Sequence, residues 1–135
     1  MIASKHDYRT YIEFMGFNTV PIDHDKLRIW NHFQKLNLEA WLTVYLFDFA
    51  LQSGYDAAIK KMQNVLFTKP DGEIGLETKG RIYKFKNKYL LFKQLMTARA
   101  GFLATMPSFH NNHRKWHLHL QRLDDYLYSE YMREV

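Results

Sequence analysis

The stretch Leu38–Gln52, LEAWLTVYLFDFALQ, decides the fold. Leu38, Trp41, Leu42, Val44, Tyr45, Leu46, Phe47, Phe49 and Leu51 place apolar side chains almost all the way round a helix. A helix with no wet face belongs at the centre of a core. Asn37 reads as its N-cap, and Ser53-Gly54 as its end. The stretch is too short to span a bilayer and carries Asp48 within it.

Working toward the N-terminus, Asp23 or Asp25 caps a helix with Leu27, Trp30, Phe33 and Leu36 on one stripe. Phe17–Ile22, containing Pro21, connects it to a first helix over Lys5–Met15, which Gly16 ends. The opening residues MIASKHDYRT carry charges where a signal peptide needs an apolar run, so the chain is expected to be unprocessed.

Toward the C-terminus, Tyr55–Phe67 has the amphipathic pattern of a further helix, and Lys69-Pro70-Asp71-Gly72 marks a turn. In residues 73–86 a strand period competes. Ile74 and Leu76 alternate, Lys79-Gly80 can turn, and Ile82–Lys86 alternates again. The expectation is one small β-hairpin near residues 73–86, with a loop leading into an early helix as the alternative. Asn87 caps a helix through Thr105, Pro107 stops it, and Ser108 or Asn112 opens a last helix to about Arg133. The last stripe is Trp116, Leu120, Leu123, Leu127 and Tyr131, which leaves Tyr126 and Tyr128 as candidate exposed rings. The fold expected is mainly α, a compact five- or six-helix domain around a central buried helix, with residues 1–135 forming a single domain.

The 135 residues carry 19 Lys and Arg against 14 Asp and Glu, and this net +5 hides an asymmetry. From Thr78 to Leu123 there is no acid, while Lys79, Arg81, Lys84, Lys86, Lys88, Lys93, Arg99, Arg114, Lys115 and Arg122 contribute ten positive charges. The remainder of the chain is net −5. Such a field attracts phosphate backbones and acidic protein surfaces. RIYKFKNKY interleaves rings with lysines, so Tyr83 could stack while its neighbours meet phosphate. The nucleic-acid or partner-binding residues expected are Lys79, Arg81, Tyr83, Lys84, Lys86, Lys88, Arg114, Lys115 and Arg122. The blander account is that these lysines solubilise a hairpin. No zinc finger, RNP sequence or GXXG loop accompanies them. A helix-turn-helix using Lys60, Lys61, Gln63 and Asn64, with a wing at Glu73–Lys86, fits weakly.

FHNNHRKWHLHL holds four of the seven histidines. His110, His113 and His117 share a helical face, as a ligand site or a proton-linked cluster would require. Arg114 and Lys115 oppose a cation there, no acid completes an HExxH pattern, and cysteine is absent, so no metal or cofactor is expected. A histidine pair can also cleave phosphodiesters without metal. The simpler use is contact with the core or with a partner, strengthened by mild acid.

Asp48 and Arg99 each fall within an apolar stripe. Buried charges need partners, so a structural ion pair between them is one expectation; an external anion on Arg99 is the rival. No nucleophile–base signature or phosphate-cradling glycine loop points to an enzyme. The function expected is a small non-enzymatic cytoplasmic protein that binds nucleic acid or a nucleoprotein complex through residues 78–123. The alternative is an adaptor, assembly subunit or inhibitor docking on an acidic or nucleic-acid-handling protein. Homo-oligomerisation and attachment to an anionic membrane surface are further uses of the same residues.

Overall fold

In the computed structural model, residues 2–17 and 23–133 are described. The chain is mainly α-helical. Among the described residues there are seven α-helices and no named strand: α1 (Lys5–Met15), α2 (His24–Gln34), α3 (Ala40–Ser53), α4 (Tyr55–Val65), α5 (Leu76–Lys84), α6 (Lys88–Ala104) and α7 (Phe109–Leu127). A π-helical turn, Tyr128–Met132, continues α7. An isolated antiparallel bridge joins Ile2 and Glu39. The connection expected over Phe17–Ile22 lies, beyond Phe17, outside the described residues.

Contacts divide the chain into two compact units, Met1–Ala58 with Asp125–Val135, and Ile59–Asp124. In the first, α3 packs against α1 and α2 and is buried at every position from Ala40 to Ala50. The absence of a polar face is what places it there. The helix starts later than Asn37: Glu39 is its N-cap, while Asn37 takes a left-handed φ of 57° after α2. Phe47 meets Tyr8, Tyr11 and Trp30 with ring centroids 5.3–5.8 Å apart, in tilted and edge-on arrangements that suit aromatic quadrupoles. At the start of α1, Ser4 N donates to Asp7 Oδ2 at 2.8 Å, within a capping box. At its end Gly16, with φ 77°, adopts the left-handed turn that a side chain would resist.

The second unit buries Ile59, Met62 and Leu66 of α4, Leu91, Phe92, Leu95, Met96 and Leu103 of α6, and Leu123 of α7. Asn87 caps α6 as the sequence requires, accepting from Leu90 N at 3.0 Å. Lys61 Nζ lies 5.1 Å from the Phe102 ring centroid, and Lys93 pairs with Asp124 at 3.1 Å.

Residues 73–86 correct the sequence reading, because Leu76–Lys84 is α5 and not half of a hairpin. Its inward residues are Thr78, Ile82 and, at the C-cap, Phe85, spaced four and three apart. That helical spacing coexists with the alternation over Ile82–Lys86, where Tyr83 and Phe85 alternate with Lys84 and Lys86, and here it wins. Lys79-Gly80 is consequently part of a helix, not a turn. The chain is prepared for α5 by Gln63, a buried side chain of α4. Its Nε2 donates to Asp71 Oδ1 (3.1 Å), Glu73 O (2.9 Å) and Thr78 Oγ1 (3.2 Å), while its Oε1 accepts from Gly72 N (3.0 Å). One amide thus organises the turn at 69–75 and the first residues of α5. Such bonds are long-range in sequence and invisible to periodicity.

Candidate nucleic-acid interface

The division into units sharpens the charge asymmetry. Residues 59–124 hold 13 Lys and Arg against four Asp and Glu, a net of +9, whereas the remaining residues sum to −4. The sequence boundary at 78–123 therefore falls inside one structural unit.

Within that unit, α5 and its C-terminal flank carry Lys79, Arg81, Tyr83, Lys84, Lys86 and Lys88. Arg81, Tyr83, Lys84 and Lys86 are exposed, and Lys79 and Lys88 are half-buried. Arg81 and Lys84 are three apart on one helix and share a side of it. On α7, Arg114, Lys115 and Arg122 are exposed. Two of the ten cations of the acid-free run are differently used. Lys93 is tied to Asp124, the first carboxylate beyond the run, and this partner raises its pKa against the opposing effect of burial. Arg99 is fully buried on α6.

His110, His113 and His117 lie on the exposed face of α7, where His113 Nδ1 is 3.1 Å from His110 O. Among the described residues, no group of three His, Asp or Glu side chains is placed to hold a metal ion. Phe109 stacks between this segment's residues, 5.6 Å from His113 and 6.3 Å from Trp116 by ring centroids. The histidines are therefore a wet flank of α7 beside an aromatic cluster.

Asp48 belongs to the first unit and Arg99 to the second. Asp48 is buried and accepts the hydroxyl of Tyr11, a partner that its own helical stripe could not reveal. Tyr126 is also a correction. It is buried, against Tyr11 at 6.2 Å and Phe14 at 4.7 Å between ring centroids, while Tyr128 is exposed. The stripe counted from Trp116 is too narrow at this end of the helix, where Leu123, Tyr126 and Leu127 are buried together. The helix-turn-helix reading also fails: Gln63 is committed to the interior, and the wing is α5.

One feature escaped the sequence altogether. His24, Leu27, Arg28, Asn31, His32 and Lys35 line a shallow depression of about 410 Å³ along α2, in the otherwise acidic unit. Arg28 is already 3.5 Å from Asp25 there, both side chains being largely in solvent. The only sequence signal for it is the spacing of His24, Arg28, His32 and Lys35, four, four and three apart on one helix. Among the described residues, no helix is long and apolar enough to cross a membrane. Compared with known protein families, curated proteins and solved structures, the chain matches none.

Proposed function

We propose that the protein is a non-enzymatic nucleic-acid-binding or nucleoprotein-associated protein that engages phosphate backbones through residues 59–124. The observation that carries this reading is the concentration of net +9 in one structural unit, with Arg81, Lys84, Lys86, Arg114, Lys115 and Arg122 at its surface. Phosphate contacts of this kind position a nucleic acid without reading its bases, so little sequence preference is expected. His110, His113 and His117, on the exposed face of the same helix as Arg114 and Lys115, place further hydrogen-bonding groups beside these contacts. The cysteine-free composition fits a reducing cytoplasmic compartment.

The test is fluorescence anisotropy of the full chain with mixed-sequence single- and double-stranded oligonucleotides across a salt series. Each phosphate neutralised contributes roughly −0.7 to −0.9 to the slope of log affinity against log salt. Lys84→Gln with Lys86→Gln, and separately Arg114→Gln with Lys115→Gln, should each flatten that slope by about one to two units. Binding that ignores salt, or that survives both double substitutions unchanged, would sink the reading.

A further inference from the structure

α5 has an outward face that its own folding does not explain. Leu76 is 92% exposed and Tyr83 is 76% exposed. At about 100° per residue they stand roughly 20° apart on the helix, one above the other. Lys79 and Gly80 lie between them, on either side of the line. Thr78 and Ile82 point the other way, so neither exposed ring nor leucine is a core residue turned by accident.

Gly80 is the second observation. Its φ is not in the left-handed region, and a Cβ added there would meet nothing within 4 Å. Neither turn geometry nor internal packing requires glycine, yet a glycine inside a helix is unfavourable relative to alanine. What glycine does provide is a notch on the exposed face, where another backbone can approach closely.

From these features we infer that the outward face of α5 is a docking site for an acidic amphipathic helix of a partner protein. Apolar anchors at i, i+4 and i+7 are the spacing by which one helix recognises another. Leu76 and Tyr83 supply the i and i+7 anchors, and Gly80 at i+4 is the notch that lets the two axes draw together. Charge chooses the occupant. Lys79 flanks the stripe on one side and Lys84 on the other, with Arg81 beyond; Glu77 is the single acid of the helix. A second copy docking α5 on α5 would set these cations against their own images, which like-charge repulsion opposes. A nucleic acid could use the lysines and the ring, but it has no use for a fully exposed leucine beside a glycine notch. A partner helix with leucines bordered by glutamates satisfies all of them. The site shares Arg81 and Lys84 with the proposed phosphate contacts and leaves those of α7 free.

The test uses the full isotope-labelled chain and a synthetic helical peptide of roughly 18 residues, about five turns, with a leucine stripe flanked by glutamates. A second peptide has the same composition shuffled to destroy the stripe, and a short mixed-sequence oligonucleotide is the third probe. The amphipathic peptide should perturb the amide signals of residues 76–84 and bind at least about tenfold more tightly than the shuffled one. Leu76→Gln and Gly80→Gln should each weaken it about fivefold or more. Neither should lower the melting temperature, because Leu76 faces solvent, a Cβ at Gly80 would meet nothing within 4 Å, and glutamine is the better helix former at 80. Equal binding of both peptides would reduce the effect to bulk charge and overturn the proposal. So would the absence of peptide binding at millimolar concentration, unaltered affinity in the two variants, or perturbation of α5 by the oligonucleotide but not by the peptide.

Discussion

Tyr131 donates its hydroxyl to Asp7 Oδ1 at 2.7 Å, joining residues 124 positions apart. The other oxygen of Asp7 holds Ser4 N in the capping box of α1. One carboxylate therefore fixes both the beginning of the first helix and the turn that follows the last. Tyr131→Phe removes the donor to a charged acceptor and should cost about 1.5 kcal/mol at neutral pH by urea denaturation.

The same tyrosine sets an alkaline limit. Burial first, and then the bond to Asp7, raise the Tyr131 pKa far above its ordinary 10, and burial also raises that of Tyr126. A group protonated more firmly in the folded than in the unfolded chain stabilises the fold fully below its unfolded pKa. That contribution fades as pH rises beyond about 10. Stability should thus be flat through neutrality and fall above pH ~10, and Tyr131→Phe should make that fall shallower. An unchanged alkaline limb in the variant would refute the assignment.

Gln63 makes a different prediction, because its amide has four partners and all belong to the segment that prepares α5. Gln63→Leu keeps approximate volume and removes every bond, leaving Thr78 buried without that partner. The loss should be about 2–3 kcal/mol. Amide exchange should accelerate across residues 71–80 while the interior of α6 stays protected. Uniform acceleration throughout the unit would mean that the amide does not act locally.

Phe67 holds a left-handed φ of 58° just after α4, with its side chain 85% exposed. A phenylalanine loses conformational energy there and recovers little by burial. Phe67→Gly should stabilise the protein by about 1 kcal/mol, visible as a higher melting temperature.

Tyr11 and Asp48 are both buried, and the tyrosine hydroxyl serves the carboxylate. Tyr11→Phe leaves that oxygen one donor short at nearly unchanged volume, and should cost about 2 kcal/mol. A cost below that of an exposed tyrosine substitution would show that other neighbours fully satisfy Asp48.

Much of this architecture was legible because apolar spacing and caps agree. The six expected helices occur, and Asp23 and Asn87 cap where a side-chain oxygen was sought. α3 could be placed by its missing wet face alone. Residues 73–86 misled because fourteen residues with Gly75 and Gly80 as apparent turn formers satisfy both periods, and the deciding contact comes from Gln63, ten or more residues away. Tyr126 misled because the buried sector at the end of α7 is Leu123, Tyr126 and Leu127, three and four apart, and so is wider than the stripe counted from Trp116. At the candidate interface the charge was plain in the sequence. Its confinement to one structural unit, and the retirement of Lys93 and Arg99 from the surface supply, were not.

Of the 13 cations in residues 59–124, nine are lysines, and the net charge of that unit is +9. Each acylated lysine loses its positive charge, so complete acylation would leave the unit electroneutral. Three of the four carboxylates, Asp71, Glu73 and Glu77, precede the acid-free run, and acylation of Lys93 would release the fourth, Asp124, from its ion pair. Lysine acylation would therefore lower the charge of this unit stepwise, one charge per group, from +9 toward zero.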